Sequence, residues 1–532
     1  MGNSHGNRVN DCKAREKSLQ KLEENAFKCD ESEDASQRSP SSLGQVDKEA
    51  RLVKIEDYEF PFENLIFEGG GNKSLAYIGS VKCLEDIGMM SQIKRVAGCS
   101  SGAITAVNIA LGYTTTEAEA FLSENMEDVI LDHSCGYLSL LPNLIKRFGW
   151  NPGKAIYNWF GDRIQAKSAK RNPDMTFLDL YKEKNVELCI VVTNVNQMRT
   201  EYCHIKTTPD MPIREALRMS IGVPGLFAAA VHQNKCDTDL YVDGGVLCNY
   251  PLHCFDGWYL SMSPDDTFLQ KMAPLNNLRQ LMFERFKETN LKSLGFKLYD
   301  DQESDLLRFE LEQRVGSHDP PAPSKKTKLY ETREKKRKMA THAEREHGRT
   351  VAASDAFINA LKRYNLTDKE FITKDELTKA LQDKQLFPDE YSNLLFGPNI
   401  SLDKAFRIID EDGSGKIAFR ELIQFIEAHG IRMQERFQGY SRADVENVGQ
   451  FFLTLGNTIL TNMPSAHLKK GDEDRTVGVN TGYVFSSDYT LEDADREFLI
   501  QRGYNATKAF LQYYVVKNPQ TKRKQNVYPS VK

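Results

Sequence analysis

Apolar and polar positions along much of the chain switch between two periods, and the switches mark the elements. Leu65-Ile66-Phe67 is a short apolar run that gives way to Glu68-Gly69-Gly70-Gly71-Asn72-Lys73. After it Leu75, Ile78, Val81, Cys83, Leu84 and Ile87 recur at helical spacing. The same order of strand, sharp turn and helix repeats at Val96-Ala97, Gly98-Cys99-Ser100-Ser101-Gly102 and Ala103-Ile104-Thr105-Ala106-Val107. Thr116 to Leu131 reads as helix, Asn185 to Thr193 as a buried strand, and Ile213 to Ile221 as a helix ended by Pro224-Gly225. Leu240-Tyr241-Val242 is another apolar strand, whereas Phe286 to Leu311, including Leu294-Gly295-Phe296-Lys297-Leu298, carries helical and turn signals. Alternation of this kind predicts an α/β sandwich around a largely parallel sheet.

Outside that region the pattern breaks. Residues 1–57 are polar and poor in aromatics, as a disordered extension would be. Asp319-Pro320-Pro321-Ala322-Pro323 opens a basic stretch with Lys325, Lys326, Lys328, Arg333, Lys335, Lys336, Arg337 and Lys338. It reads as a solvated linker or an exposed charged helix over 316–350, with attraction to anionic lipid headgroups as the alternative. At 532 residues, 40% apolar and 27% charged, the chain calls for two or three globular domains. A net charge of −5 gives no footprint for a nucleic-acid partner.

The ten cysteines are scattered without a Cys-x-x-Cys pair, and Met1-Gly2-Asn3-Ser4-His5-Gly6 leads into a polar stretch rather than a signal peptide. Reduced thiols in an intracellular, cytoplasmic protein are expected. Gly2 raises N-myristoylation, but Gly6 stands where that motif takes Ser or Thr. No apolar run reaches the ~18 residues of a membrane span, so contact with a phospholipid surface is expected to be peripheral.

The candidate chemistry sits at the turns. Gly98-x-Ser100-x-Gly102 between strand and helix has the form of a nucleophile elbow, in which glycines admit a strained turn that lifts the Ser100 hydroxyl above the sheet edge. The Gly69-Gly70-Gly71 loop presents backbone N–H groups to an anion. A nucleotide P-loop is excluded by spacing, because its two glycines would fall at Phe67 and Asn72. An oxyanion loop for acyl transfer fits better. A serine needs a base, and the candidate is Asp243, at the end of an apolar strand and followed by Gly244-Gly245; a plain turn is the other reading of that tripeptide.

In order, Gly69-Gly70-Gly71-x-Lys73, Gly98-x-Ser100-x-Gly102, Ser220-Ile221-Gly222-Val223-Pro224-Gly225-Leu226-Phe227, Asp243-Gly244-Gly245 and Asn249-Tyr250-Pro251 resemble the patatin-like phospholipases. The resemblance implies a three-layer α/β sandwich, Ser100 as nucleophile, Asp243 as base of a Ser–Asp dyad, and Gly69, Gly70 and Gly71 as the oxyanion hole. It requires no histidine. Ser74 stands where that family usually has glycine.

Asp410-Glu411-Asp412-Gly413-Ser414-Gly415-Lys416-Ile417-Ala418-Phe419-Arg420-Glu421 resembles an EF-hand calcium loop. Asp410, Asp412 and Ser414 offer side-chain oxygens, Lys416 its carbonyl and Glu421 both carboxylate oxygens, while Gly415 allows the sharp turn. Asn365 to Glu376 is a degenerate partner, with Ile372 and Glu376 in place but Thr367, Lys369 and Glu370 spoiling the ligand set. The stretches Arg475 to Thr481, Tyr489 to Glu492 and Gly503 to Leu511 resemble the closing strand and final helix of the patatin-like domain, with Phe451 to Leu460 as a re-entry helix.

The expected organisation is a catalytic domain in two segments, 58–315 and 436–515, around an all-α EF-hand pair at 351–435, with a basic tail at 516–532. The function these readings imply is a calcium-responsive serine acyl hydrolase that cleaves phospholipid or lysophospholipid esters through an acyl-enzyme, with Ca2+ outside the chemistry. A triacylglycerol lipase or transacylase, or a catalytically weak calcium-binding scaffold, are the alternatives.

Overall fold

The strands that carry the glycine loop and the elbow lie side by side at the centre of an eight-stranded sheet. The structure, a computed structural model, describes residues 49–122, 132, 140–233, 238–301, 311, 314, 316–364, 371–398, 400–428, 468–488 and 490–524. The proposed re-entry helix at Phe451 to Leu460, the first half (365–370) of the degenerate loop Asn365 to Glu376 and the amino-terminal glycine lie outside the described residues. Lys54–Lys532 form one compact unit, and in the stretch before it residues 49–52 make a helical turn.

Beside a short parallel pair, Gly149–Asn151 with Gly225–Phe227, the described strands are β1 (Asn64–Phe67), β2 (Arg95–Cys99), β3 (Glu187–Asn194), β4 (Arg199–His204), β5 (Ala230–Gln233), β6 (Thr238–Asp243), β7 (Ser293–Tyr299), β8 (Phe371–Thr373), β9 (Lys416–Ala418) and β10 (Thr476–Asn480). The main sheet runs β10-β7-β1-β2-β3-β6-β5, with β4 on the far edge of β3. Its first five strands are parallel, while β4, β5 and β6 join antiparallel. The result is a mixed, largely parallel α/β sheet.

Side chains alternate across the strands, so each face has its own cover. On one face Ile66, Ala97, Cys99, Cys189 and Val191 pack under Cys248, Tyr250, Leu252, Cys254 and Phe255. On the other, Phe67 stacks on Phe296 and meets Tyr77 edge-on at 5.0 Å. Tyr77 belongs to α1 (Ala76–Asp86), and α2 (Ser101–Leu111) follows the elbow. No helix among the described residues is long and apolar enough to cross a membrane.

The end of the 1–57 stretch read as a disordered extension is ordered, with Ile55 buried in a 3-10 turn at Ile55–Asp57, and two further segments differ from their sequence reading. Leu294 to Leu298, with helical and turn signals, lies in β7, a fully buried strand paired on both edges. Gly295 and Lys297 disguise it. Gly295 is needed because a Cβ would run into the Tyr250 hydroxyl. Lys297 is tolerated because its ammonium meets the buried Glu68 carboxylate at 3.1 Å.

The basic stretch read as a 316–350 linker, with a charged helix as its other form, is largely helix. After α3 (Ile213–Ser220), α4 (Lys328–Tyr364) runs unbroken for 37 residues, about 55 Å at 1.5 Å per residue. The boundary placed at 350/351 therefore falls inside it. Lys, Arg, Glu and Ala are good helix formers as well as good solvated residues, so composition alone does not separate the two states. The carboxy-terminal part of α4 joins α5 (Lys374–Gln382), α6 (Asp389–Phe396), α7 (Leu402–Ile409) and α8 (Phe419–Ala428) around one apolar core that includes Phe357, Phe387, Phe396, Phe406 and Phe425.

The chain then returns to the sheet. β10 pairs with β7, and α9 (Asp493–Lys517) crosses α1 so closely that a Cβ at Gly79 would collide with the Ile500 carbonyl, and one at Gly503 with the Ala76 carbonyl. The helix that follows the glycine loop is thus backed by the last of the described helices.

Candidate active site

The register of β3 explains why Ser100 and Asp243, 143 residues apart, meet. One edge of β3 is occupied from residue 189 to 194 by β4, so β2 and β6 share the other edge. Cys99, the last residue of β2, lies opposite Val191, and Asp243, the last residue of the antiparallel β6, lies opposite Val192. Two strands therefore run towards each other and end at adjacent positions. The turn after each projects into the same space.

Ser100 has φ +51° and ψ −128°, a left-handed backbone that L-residues avoid and that the elbow imposes. The glycines around it are steric necessities. A Cβ at Gly98 would strike the Gly102 carbonyl, and one at Gly102 would press on the Phe67 and Glu68 carbonyls of the neighbouring strand. The Ser100 hydroxyl donates to Asp243 Oδ2 at 2.7 Å. Asp243 Oδ1 accepts from the Gly245 amide at 2.7 Å and from the Cys99 thiol at 3.8 Å. Burial pushes the Asp243 carboxyl up to about 6, with these three donors pulling the other way.

The glycine loop closes the third side. Gly69 lies against Ser100 and Asn249, so any side chain there would enter the site. Its amide donates to the Asn249 carbonyl at 3.1 Å, while the Asn249 side-chain amide returns a bond to the Gly69 carbonyl at 2.8 Å. The Gly70 amide donates to the Ser101 hydroxyl at 2.9 Å, an acceptor that a substrate oxygen can replace. Gly71 opens a 3-10 turn over Gly71–Leu75, and Ser74 donates its hydroxyl to the Gly71 carbonyl at 2.7 Å. Ser74 thus closes the turn. Lys73, the basic residue of the motif, points inward to Asp300 at 3.4 Å.

Several residues of this site carry no role in the sequence reading. Ser220, at the end of α3, accepts from the Ser100 amide at 2.9 Å and donates to the Val191 carbonyl at 2.7 Å, tying the elbow to β3. Cys99, Ser101 and Asn249 contribute as above. Each lies inside a stretch that carries the family resemblance, which is the only signal the sequence offers for them.

The acidic loop forms a second cluster. Oxygens of Asp410, Asp412 and Glu421 lie within 4.8 Å of one another. Asp410 accepts from the Ser414 and Gly415 amides, Ser414 donates its hydroxyl to the Lys416 carbonyl at 2.9 Å, and Glu421 accepts from the Glu411, Asp412 and Ala418 amides. Gly415 has φ +78°. The donors are all hard oxygens, a set suited to Ca2+ or Mg2+. β8 and β9 pair antiparallel with Ile372 opposite Ile417, and Glu376 caps α5 by accepting from the Thr373 amide.

Comparison with known proteins falls on the first of these clusters. Residues 65–256 match the family model for patatin-like phospholipase. The uncharacterized protein YqhO of Bacillus subtilis is 34% identical over 197 residues, covering 36% of this chain and 65% of that protein. The chain thus spans just under two thirds of YqhO. The uncharacterized protein R571 of Acanthamoeba polyphaga mimivirus is 30% identical over 232 residues, 41% of this chain and 73% of its own length. The probable lipid hydrolase 463L of Invertebrate iridescent virus 6 is 24% identical over 254 residues, 47% of this chain and 84% of that protein.

Proposed function

This chain belongs to the patatin-like phospholipase family of lipid acyl hydrolases, and from that premise we propose that it cleaves fatty-acyl esters of phospholipids or lysophospholipids through a Ser100–Asp243 dyad, in response to calcium. The observation that carries the reading is the 2.7 Å bond from the Ser100 hydroxyl to a buried carboxylate. Asp243 accepts the hydroxyl proton as Oγ attacks the ester carbonyl carbon. The carbonyl oxygen becomes negative and takes the Gly70 and Gly71 amides, the Gly69 amide being already engaged by Asn249. The tetrahedral centre collapses, the ester C–O bond breaks, and the leaving alkoxide takes the proton from Asp243. Water then attacks the acyl-serine with Asp243 as base, releasing fatty acid and restoring Ser100.

Contact with a phospholipid surface is supported at the same end of the sheet. Ile145 and Phe148 are exposed apolar residues flanking the exposed cations Lys146 and Arg147. The Arg147 carbonyl accepts from Ala229, just beyond the Gly222 to Phe227 stretch whose Gly222 carbonyl holds the Asp243 amide. An apolar and basic rim suits a peripheral, anionic interface.

The acidic module reads as an EF-hand pair inserted between the two segments of the catalytic domain. Asp410, Asp412, Ser414, the Lys416 carbonyl and Glu421 would hold Ca2+, which supplies charge and order to the loop and takes no part in the ester chemistry. Labelling by a fluorophosphonate probe tests the dyad: it is expected at Ser100, lost in Ser100→Ala and strongly slowed in Asp243→Asn. Undiminished labelling in Ser100→Ala would refute it.

A further inference from the structure

The back of the glycine loop is fastened to a turn that the long helix holds. The Asn72 amide donates to the Ser486 carbonyl at 3.3 Å, and the Asn72 side chain donates to the Asp488 carbonyl at 2.8 Å. Gly71 lies so close to this turn that a Cβ would collide with the Ser486 carbonyl. The turn is closed by the Phe485 amide, which donates to Asp488 Oδ2 at 2.8 Å. The other carboxylate oxygen, Oδ1, accepts from the Arg333 guanidinium at 3.0 Å, and the same guanidinium covers the Phe485 ring at 3.8 Å. Arg333 is on the second turn of α4.

The start of that helix is fixed to the same closing segment. Thr327 donates to Asp495 at 2.6 Å, the Lys328 amide donates to Glu492 at 2.9 Å, and Tyr330 meets Tyr483 edge-on at 5.0 Å. Its far end supplies Ala353, Phe357, Ala360 and Leu361 to the core of the acidic module, the core that also takes Ile409 from just before the Asp410 to Glu421 loop and Ile417 from within it. One helix is therefore packed into the module at one end and bonded, at the other, to the turn that backs the glycine loop.

We propose that Arg333 and Asp488 are positioning residues for the oxyanion loop, and that α4 carries the state of the acidic module to that loop through them. The inference rests on the functional reading above, in which Gly70 and Gly71 serve the oxyanion and the module takes calcium. A charge-assisted bond in a half-buried site, reinforced by the ring contact, fixes the turn more firmly than a neutral bond would. Cation binding that shifts the packing of α4 in the module moves the guanidinium at its other end, and the turn follows. The loop then changes in transition-state alignment more than in substrate binding. Displacements of about 1 Å in such loops cost rate by up to about 100-fold.

The test uses the full chain, a soluble short-chain acyl ester, and hydrogen exchange at 69–75 and 484–488, each with calcium and with chelator. Arg333→Ala is expected to lower kcat about ten-fold, leave KM within about two-fold, and speed exchange at the Asn72 amide. Arg333→Lys should recover part of both, and Asp488→Asn should resemble Arg333→Ala. Calcium should alter exchange at 69–75 in the parent protein and not in Arg333→Ala. Parental kcat and exchange in Arg333→Ala, a calcium effect at 69–75 that survives in that variant, or no calcium effect there in the parent would each overturn the proposal. Turnover that persists in Ser100→Ala would instead overturn the functional reading, with exchange at Asn72 still deciding the role of Arg333.

Discussion

Asp243 lies at 1% exposure with its carboxylate facing the Ser100 hydroxyl, the Gly245 amide and the Cys99 thiol. Because only the ionised form accepts a proton, and its carboxyl is raised to about 6, kcat/KM should rise through pH 6 and level off above pH 7. A pH–rate profile on a soluble ester checks this. The same shift acts on stability in the opposite sense. A carboxyl raised from 3.8 to about 6 favours folding below pH 4, and that contribution is lost as pH rises through 6, on the order of 2–3 kcal/mol. Asp243→Asn should therefore abolish turnover while raising the melting temperature at pH 8 and leaving it nearly unchanged at pH 4. Ser220→Ala strips an acceptor from the Ser100 amide and should cost about 1–3 kcal/mol in urea unfolding together with a fall in kcat. At this scale the glycines, Ser100 and Asp243 were legible because strained turns admit few residue types. Ser220, Ser101 and Asn249 were not, since a serine or asparagine that supports a turn looks like any other until the partner strand is placed.

At the scale of elements, the crossing of α1 and α9 is the tightest demand on sequence. Gly503→Ala would drive a methyl group into the Ala76 carbonyl, and a loss of about 1–3 kcal/mol is expected in urea unfolding. A variant as stable as the parent would show that the helices separate freely. Strands β1, β2 and β6 follow directly from apolar runs ending in glycine-rich turns, β3 from a longer apolar run, and α1, α2 and α3 from helical spacing. β7 escaped because its glycine and lysine answer to distant partners, Tyr250 and Glu68, which periodicity does not contain. The first half of α4 was divided between linker and helix for a different reason, as an exposed helix needs no apolar stripe.

In the whole molecule the main sheet is built from two stretches of chain with a helical module between them. β10 completes the sheet beside β7, and α9 covers the helix behind the glycine loop. The closing strand and helix were legible as a resemblance, whereas their bonds to the glycine loop through Ser486 and Asp488 depend on a fold that joins residues more than 400 positions apart. If the module takes calcium, the parent melting temperature should rise with added Ca2+, and Glu421→Gln should need at least about ten-fold more Ca2+ for the same shift. Release of fatty acid from phospholipid vesicles by the purified chain, with calcium and with chelator, beside Ser100→Ala, decides the proposed function. Release is expected to differ between the two conditions and to vanish in the variant; release that continues in Ser100→Ala, or none from the parent in either condition, would overturn it.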